Sequence, residues 1–258
     1  NLSTMYLIPF LLAAVTGFAG NLVILKIRET PNRRKFNVKP SQLISPLTEN
    51  KDFRLFTEIS FVSMIVQSLP WGVFAFVIVD VVKATMLQVA LISVMNGAFI
   101  LSVQRLAGLL VDKVGRKPFI LVGKFGLSTF PLFYAFASSV WMLYLGNIIG
   151  GAFNGVLMVA NFTYMLDISP NDKRGEYFGI YNSSMGIATG IGALIGGALA
   201  DEFMFRFGLA LGLTYVLLIF AIGRMLINTL FFKIKEPERS FSPFNEQVEL
   251  PKNRRFPL

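Results

Sequence analysis

The chain has 258 residues, of which 54% are hydrophobic and only 15% charged. A typical soluble domain is about 25% charged, so too little polar surface is left for a water-soluble globule, and the hydrophobic content excludes a disordered chain. With no Cys and no His the chain lacks disulfides, thiolate nucleophiles, zinc fingers and Ser-His-Asp triads, and its formal charge of +9 remains to be placed.

A helix crosses the hydrocarbon core with about 20 apolar residues. Seven stretches qualify, running roughly Met5–Leu25, Ile59–Val79, Thr85–Ala107, Phe119–Ala137, Trp141–Met165, Phe178–Ala200 and Phe207–Phe232. The expected fold is all-α: a polytopic membrane protein with one transmembrane helix in residues 1–25 and a six-helix bundle in residues 58–232. Residues 26–57 hold Pro31, Pro40 and Pro46 among polar and charged neighbours and read as a linker; residues 233–258 form a tail. The first stretch is not a convincing signal peptide, because basic residues follow it instead of preceding it. The chain starts with Asn, which suggests a processed, trimmed or incomplete chain.

The basic residues fall on one side. Segment 26–57 carries eight (Lys26, Arg28, Arg33, Arg34, Lys35, Lys39, Lys51 and Arg54). The loop after the third stretch adds Lys113, Arg116 and Lys117, the loop after the fifth adds Lys173 and Arg174, and the tail adds six more. The other side has only Lys83 and Arg206. The positive-inside rule then predicts a multi-pass protein of the cell membrane, its amino end outside and its tail cytoplasmic. The charge is thus an orientation signal that can also attract anionic headgroups. Nucleic acid is not an expected partner, since the basic residues are split among four loops without a reader fold.

Between the third and fourth stretches the chain reads Gly108-Leu-Leu-Val-Asp112-Lys113-Val-Gly115-Arg116-Lys117-Pro118. This loop resembles the signature of the major facilitator superfamily, Gly-x-x-x-Asp-Arg/Lys-x-Gly-Arg/Lys-Arg/Lys, with every defining position filled. Physically, Gly108 lets its helix approach a neighbour and Gly115 permits positive φ. Asp112 can accept hydrogen bonds at a neighbouring helix N-terminus, and Arg116 can fork onto a carboxylate. A second element, Asp167-Ile-Ser-Pro170-Asn-Asp-Lys-Arg174-Gly175, resembles the family's acidic-x-x-Pro-x-x-x-Arg-Gly loop. The resemblance implies a charge network of Asp112, Arg116, Asp167 and Arg174 that latches the cytoplasmic side.

The family has twelve helices in two halves of six joined by a long cytoplasmic loop. The arrangement here is similar to the last seven, so the resemblance implies a transporter fragment whose partner is the first half of the same protein. The implied function is secondary active transport of a small molecule by alternating access, with drug or metabolite efflux as the first expectation and sugar or metabolite uptake as the alternative. No cofactor, metal site or enzymatic activity is expected. A seven-helix receptor or light-driven pump fits poorly, because the last stretch has no Lys for a retinal Schiff base and the receptor Asp-Arg-Tyr element is absent.

Substrate-cavity candidates follow from spacing and resemblance together. Asn147, Asn154 and Asn161 recur every seven residues and share a helical face. Ser63, Gln67, Trp71 and Phe74 form a broad face of the second stretch, beside the helix-kinking Pro70. Interhelical packing explains either set nearly as well. These polar groups do not imply a charged substrate, which favours a hydrophobic or neutral compound. The glycines 186, 190, 192, 196 and 197 read as small-residue helix packing. No stretch has a well-centred carboxylate, leaving Asp80 and Glu58, at the two ends of the second stretch, as candidates for proton coupling. Arg224 lies nearer mid-span, and Lys124 is expected to snorkel toward the near surface.

Overall fold

The computed structural model describes residues 11, 14–22 and 45–237. The chain divides into two compact units, Asn1–Lys39 and Pro40–Leu258. In the first, residues 14–22 are helical, and Asn21 Nδ2 donates to the Gly17 carbonyl at 2.9 Å. Most of the first predicted span, the linker up to residue 44 and the tail beyond residue 237 lie outside the described residues.

Among the described residues, the second unit holds six helices long and apolar enough to cross a membrane: α1 Lys51–Val81, α2 Met86–Val114, α3 Arg116–Ala135, α4 Val140–Ile168, α5 Arg174–Phe207 and α6 Leu209–Lys233. The predicted spans from Ile59 onward all have their counterparts. The helices overrun the apolar stretches because polar terminal turns continue the hydrogen-bond ladder. At α1 this moves the end of the linker from residue 57 to about residue 50. Asn50 caps the helix by accepting from the Phe53 amide at 2.9 Å, and its Nδ2 donates to the Ile168 carbonyl at 2.8 Å. Phe53 and Phe56, inside the predicted linker, are fully buried. At the other boundary, Gly208 turns the chain with φ +78°, so Phe207 ends α5 instead of opening α6.

Two spans are interrupted by proline. Pro70 divides α1, which resumes at Trp71 and closes in a π-type turn, Val77–Val81. Pro131 sits in the second turn-segment of α3, after a break at Thr129. Close packing relies on selected glycines. A Cβ on Gly151 or Gly155 would lie 2.6 Å from the Asn96 or Ile100 carbonyl of α2, and one on Gly192 or Gly196 would collide with the Ile65 or Leu69 carbonyl of α1. Gly186, Gly190 and Gly197 face open space, so only part of the glycine series packs against neighbours.

The interior has three layers. One apolar cluster, with Phe53, Phe56, Val111, Ile120, Tyr164 and Phe231, lies at the end that carries the signature loop. Another, with Val73, Val77, Tyr134, Leu143, Leu217 and Phe220, lies toward the opposite end. Along α1, α3 and α6 the buried polar residues Ser63, Lys124, Ser128, Arg224 and Asn228 fall between these two clusters.

Candidate functional site

At the signature-loop end, α2 stops at Val114 and Gly115 takes φ +126°, a conformation open to glycine but strained for other residues. This turn brings Arg116 to the start of α3. Arg116 Nε lies 2.7 Å from Asp167 Oδ2 as an ion pair whose N–H is not aimed at the oxygen, Nη2 lies 3.4 Å from Asp112 Oδ1, and Nη1 donates to the Val111 carbonyl at 3.2 Å. Three of the four expected latch residues therefore meet. Arg174 does not join them: it is exposed at the start of α5 and makes no ion pair among the described residues. Its neighbour Lys173 reaches Glu49 at 3.3 Å, and that carboxylate holds the Lys173 ammonium above its ordinary value. Pro170 closes the intervening turn by accepting from the Lys173 amide, and Gly175 faces open space.

Among the described residues a Cβ on Gly108 would meet nothing within 4 Å, so no helix packs closely there. The carboxylate seated at the N-terminus of α3 is Glu236, while Asp112 reaches Arg116. Glu236 accepts from the Arg116 amide at 2.6 Å and the Lys117 amide at 2.8 Å, where the helix leaves donors unsatisfied and its dipole favours an anion. Lys117 Nζ donates to the Phe232 carbonyl and Tyr164 to the Lys235 carbonyl, so the segment after α6 is tied to the loop. The sequence signal for Glu236 is an acidic residue just past the last apolar stretch, within the tail. Lys113 is exposed on the rim of the loop.

The polar layer is continuous at mid-span. Lys124 Nζ donates to Ser63 Oγ at 3.0 Å and stands 4.7 Å above the Phe231 ring. Ser63 donates to Asn228 Oδ1 at 2.9 Å, and Asn228 Nδ2 donates to the Lys124 carbonyl and to Ser128 Oγ. Lys124 therefore does not snorkel to the surface; it is 5% exposed. Arg224, equally buried, donates from Nη1 to the Leu127 carbonyl at 3.1 Å and from Nη2 to the Gln67 carbonyl. Leu127 is four residues before Pro131, which has no N–H to give that carbonyl, and Gln67 precedes the break at Pro70. Arg224 thus supplies a donor at Leu127, where Pro131 withdraws one, and a second contact to the last turn before the Pro70 break.

Beside Arg224 lies a cleft of about 140 Å³, walled by Gln67, Trp71, Asn96, Phe130 and Asn154. Gln67, Leu127, Asn154 and Arg224 lie within about three residues of the middle of their spans. Of the cavity candidates, Gln67, Trp71, Phe74 and Asn154 line this cleft. Ser63 belongs to the buried hydrogen-bond cluster, and Asn147 is packed inside, donating to Tyr134 Oη and to the Leu143 carbonyl. Asn161 Oδ1 is buried without a partner. Glu58 pairs with Arg54 at 2.7 Å with both side chains more than half exposed, and Asp80 is exposed at the far end of α1. Neither carboxylate lines the cleft.

Six apolar spans, a glycine-turned loop holding an Arg–Asp pair and a mid-span polar cleft define a polytopic membrane protein of transporter type. Residues 56–257 match the Major Facilitator Superfamily, and the chain belongs to that family. Over 94 residues it is 38% identical to the class H tetracycline resistance protein of Pasteurella multocida, covering 36% of this chain and 23% of that protein. It is 35% identical over 123 residues to an uncharacterized MFS-type transporter of Methanocaldococcus jannaschii, covering 46% of this chain and 31% of that one. The matches thus span less than a third of these relatives. The fold is similar to a crystal structure of a bacterial homolog of the human lysosomal transporter Spinster, inward-facing and unoccupied, with TM-score 0.57 and 20% identity; the match covers 84% of this chain and 48% of that one.

Proposed function

We propose that the chain supplies the second half of a secondary transporter that exports small amphipathic molecules by alternating access, working with a first six-helix half. The observation that supports this most is the Arg116–Asp167 contact between the loop after α2 and the end of α4. An ion pair across two helix ends, partly open to water, forms and breaks at small free-energy cost, as a gate must. The mid-span cleft gives a place for substrate at the depth where such transporters bind. The likeness to a tetracycline resistance protein supports export over uptake.

In this reading the signature-loop end faces the cytoplasm, on the strength of the one-sided distribution of Lys and Arg. Residues 1–25 are the last helix of the first half, 26–50 the linker, and the six spans the second half. A cavity shared between halves cannot alternate with one half alone. Reconstituted alone in proteoliposomes, the chain is expected to move no substrate; expressed with a first six-helix half, it is expected to lower cellular accumulation of a fluorescent amphipathic dye. Uptake by the chain alone overturns the reading.

A further inference from the structure

Among the described residues, no carboxylate meets the mid-span cations. Arg224 and Lys124 are both 5% exposed, and no Asp or Glu occurs within the apolar stretches 59–79, 85–107, 119–137, 141–165, 178–200 or 207–232. An arginine remains protonated in such surroundings and carries five donors. Two of its donor nitrogens, Nη1 and Nη2, serve the Leu127 and Gln67 carbonyls, while Nε is buried with no partner. Carbonyls neutralise dipoles and not charge. A buried cation without a counter-ion is costly, and in membrane spans such groups mark ligand or ion sites. The cleft beside Arg224 adds the aromatic walls of Trp71 and Phe130 and the side-chain amides of Gln67 and Asn154. A cavity of about 150 Å³ holds one benzene ring.

We propose that this cleft binds an organic anion, a carboxylate or sulfonate carried on an aromatic body, with the charge at Arg224 and the ring between Trp71 and Phe130. The inference rests on the transporter reading and narrows its substrate class, in place of the hydrophobic or neutral compound that the sequence favours. Asn154, on the cleft wall, brings a side-chain amide that can donate to the anion. A purely structural Arg224, serving only the Leu127 and Gln67 carbonyls, would leave the cleft indifferent to ligand charge.

The chain has two tryptophans, and Trp141 is 74% exposed and outside the cleft. Trp141→Phe therefore makes Trp71 the sole reporter. The full chain in lipid nanodiscs is titrated with benzoate, benzamide and benzylamine, which share shape and differ in charge, against empty nanodiscs. Benzoate is expected to change Trp71 fluorescence saturably at concentrations at least about 10-fold below benzamide and benzylamine. Arg224→Gln should erase that preference. Asn154→Asp, on the cleft wall and outside the hydrogen-bonded layer, should abolish it by giving Arg224 a counter-ion, and it decides the matter if Arg224→Gln does not fold. Equal affinity for the three probes, a non-saturable response, or a benzoate preference that survives Asn154→Asp overturns the inference. Because binding is read in the chain alone, a failure of transport leaves this result standing, and loss of the preference leaves the transport result standing.

Discussion

Arg116 and Arg224 are set in opposite surroundings. Arg116 lies against Asp167 and near Asp112, with Glu236 on the adjacent backbone, all within reach of water. Some 12 Å deeper along α3, Lys124 and its neighbour Arg224 have hydroxyl, carbonyl and ring partners but, among the described residues, no carboxylate. The contrast separates two uses of positive charge. At the loop end, water stands ready to replace either partner, so the contacts are weak, salt-sensitive and reversible. In the middle, nothing replaces a lost partner, so each contact holds structure and the net charge is left for something outside the chain to neutralise.

Substitutions sharpen this contrast, the largest effect coming from the middle. Asn228→Leu removes the acceptor of Ser63 and the donors to Ser128 and the Lys124 carbonyl. Unfolding in mixed micelles should show a loss of about 1–3 kcal/mol for each buried group left unpaired, insensitive to salt. Asp167→Asn should cost about 1 kcal/mol, a difference that shrinks in high salt because both partners are partly exposed. A salt-sensitive Asn228→Leu, or a salt-insensitive Asp167→Asn, would erase the distinction.

Smaller effects belong wholly to the loop end. Glu236→Gln weakens the anion at the α3 N-terminus and should cost about 0.5–1 kcal/mol in the same unfolding measurement, while speeding amide exchange at Arg116 and Lys117. Glu58→Gln, on an exposed pair with Arg54, should stay within about 0.5 kcal/mol. The Lys173–Glu49 pair is the mildest test. Because Glu49 raises the Lys173 value, the contact contributes fully below the ordinary lysine range near 10.4 and is lost as pH rises through the folded value. Nitrogen NMR of Lys173 should show this upward displacement shrink in Glu49→Gln, leaving the smaller contribution of Glu176 and Asp172.

The spans were legible in the sequence because a long apolar run in lipid leaves the backbone no choice but helix. Their ends were less so: the caps at Asn50 and Gly208 are decided by single side chains and dihedrals, not by hydropathy. Gly115 takes a positive φ, and Arg116 stands against Asp167, a pair that only the resemblance to the family had linked, since 51 residues separate the two in sequence. Glu236 escaped because its partner amides are 119 and 120 residues away in sequence. Lys124 escaped for a different reason. Snorkelling is a rule for a helix facing lipid, and the face of α3 that bears Lys124 meets Ser63 and Asn228 from two other helices. Spacing put Asn147, Asn154 and Asn161 on one face, but it could not tell that Asn147 is consumed by Tyr134 while Asn154 reaches the cleft.

Gating by the loop-end pair is the central claim, and the absence of native cysteine makes it directly measurable. In the assembled transporter, Asn154→Cys is labelled with a membrane-impermeant maleimide from each side of sealed vesicles, with and without Asp167→Asn. Loss of about 1 kcal/mol at the pair shifts the open population by about fivefold. Labelling from the signature-loop side should therefore rise about fivefold in the double variant while labelling from the other side falls. Unchanged labelling on both sides would contradict the account.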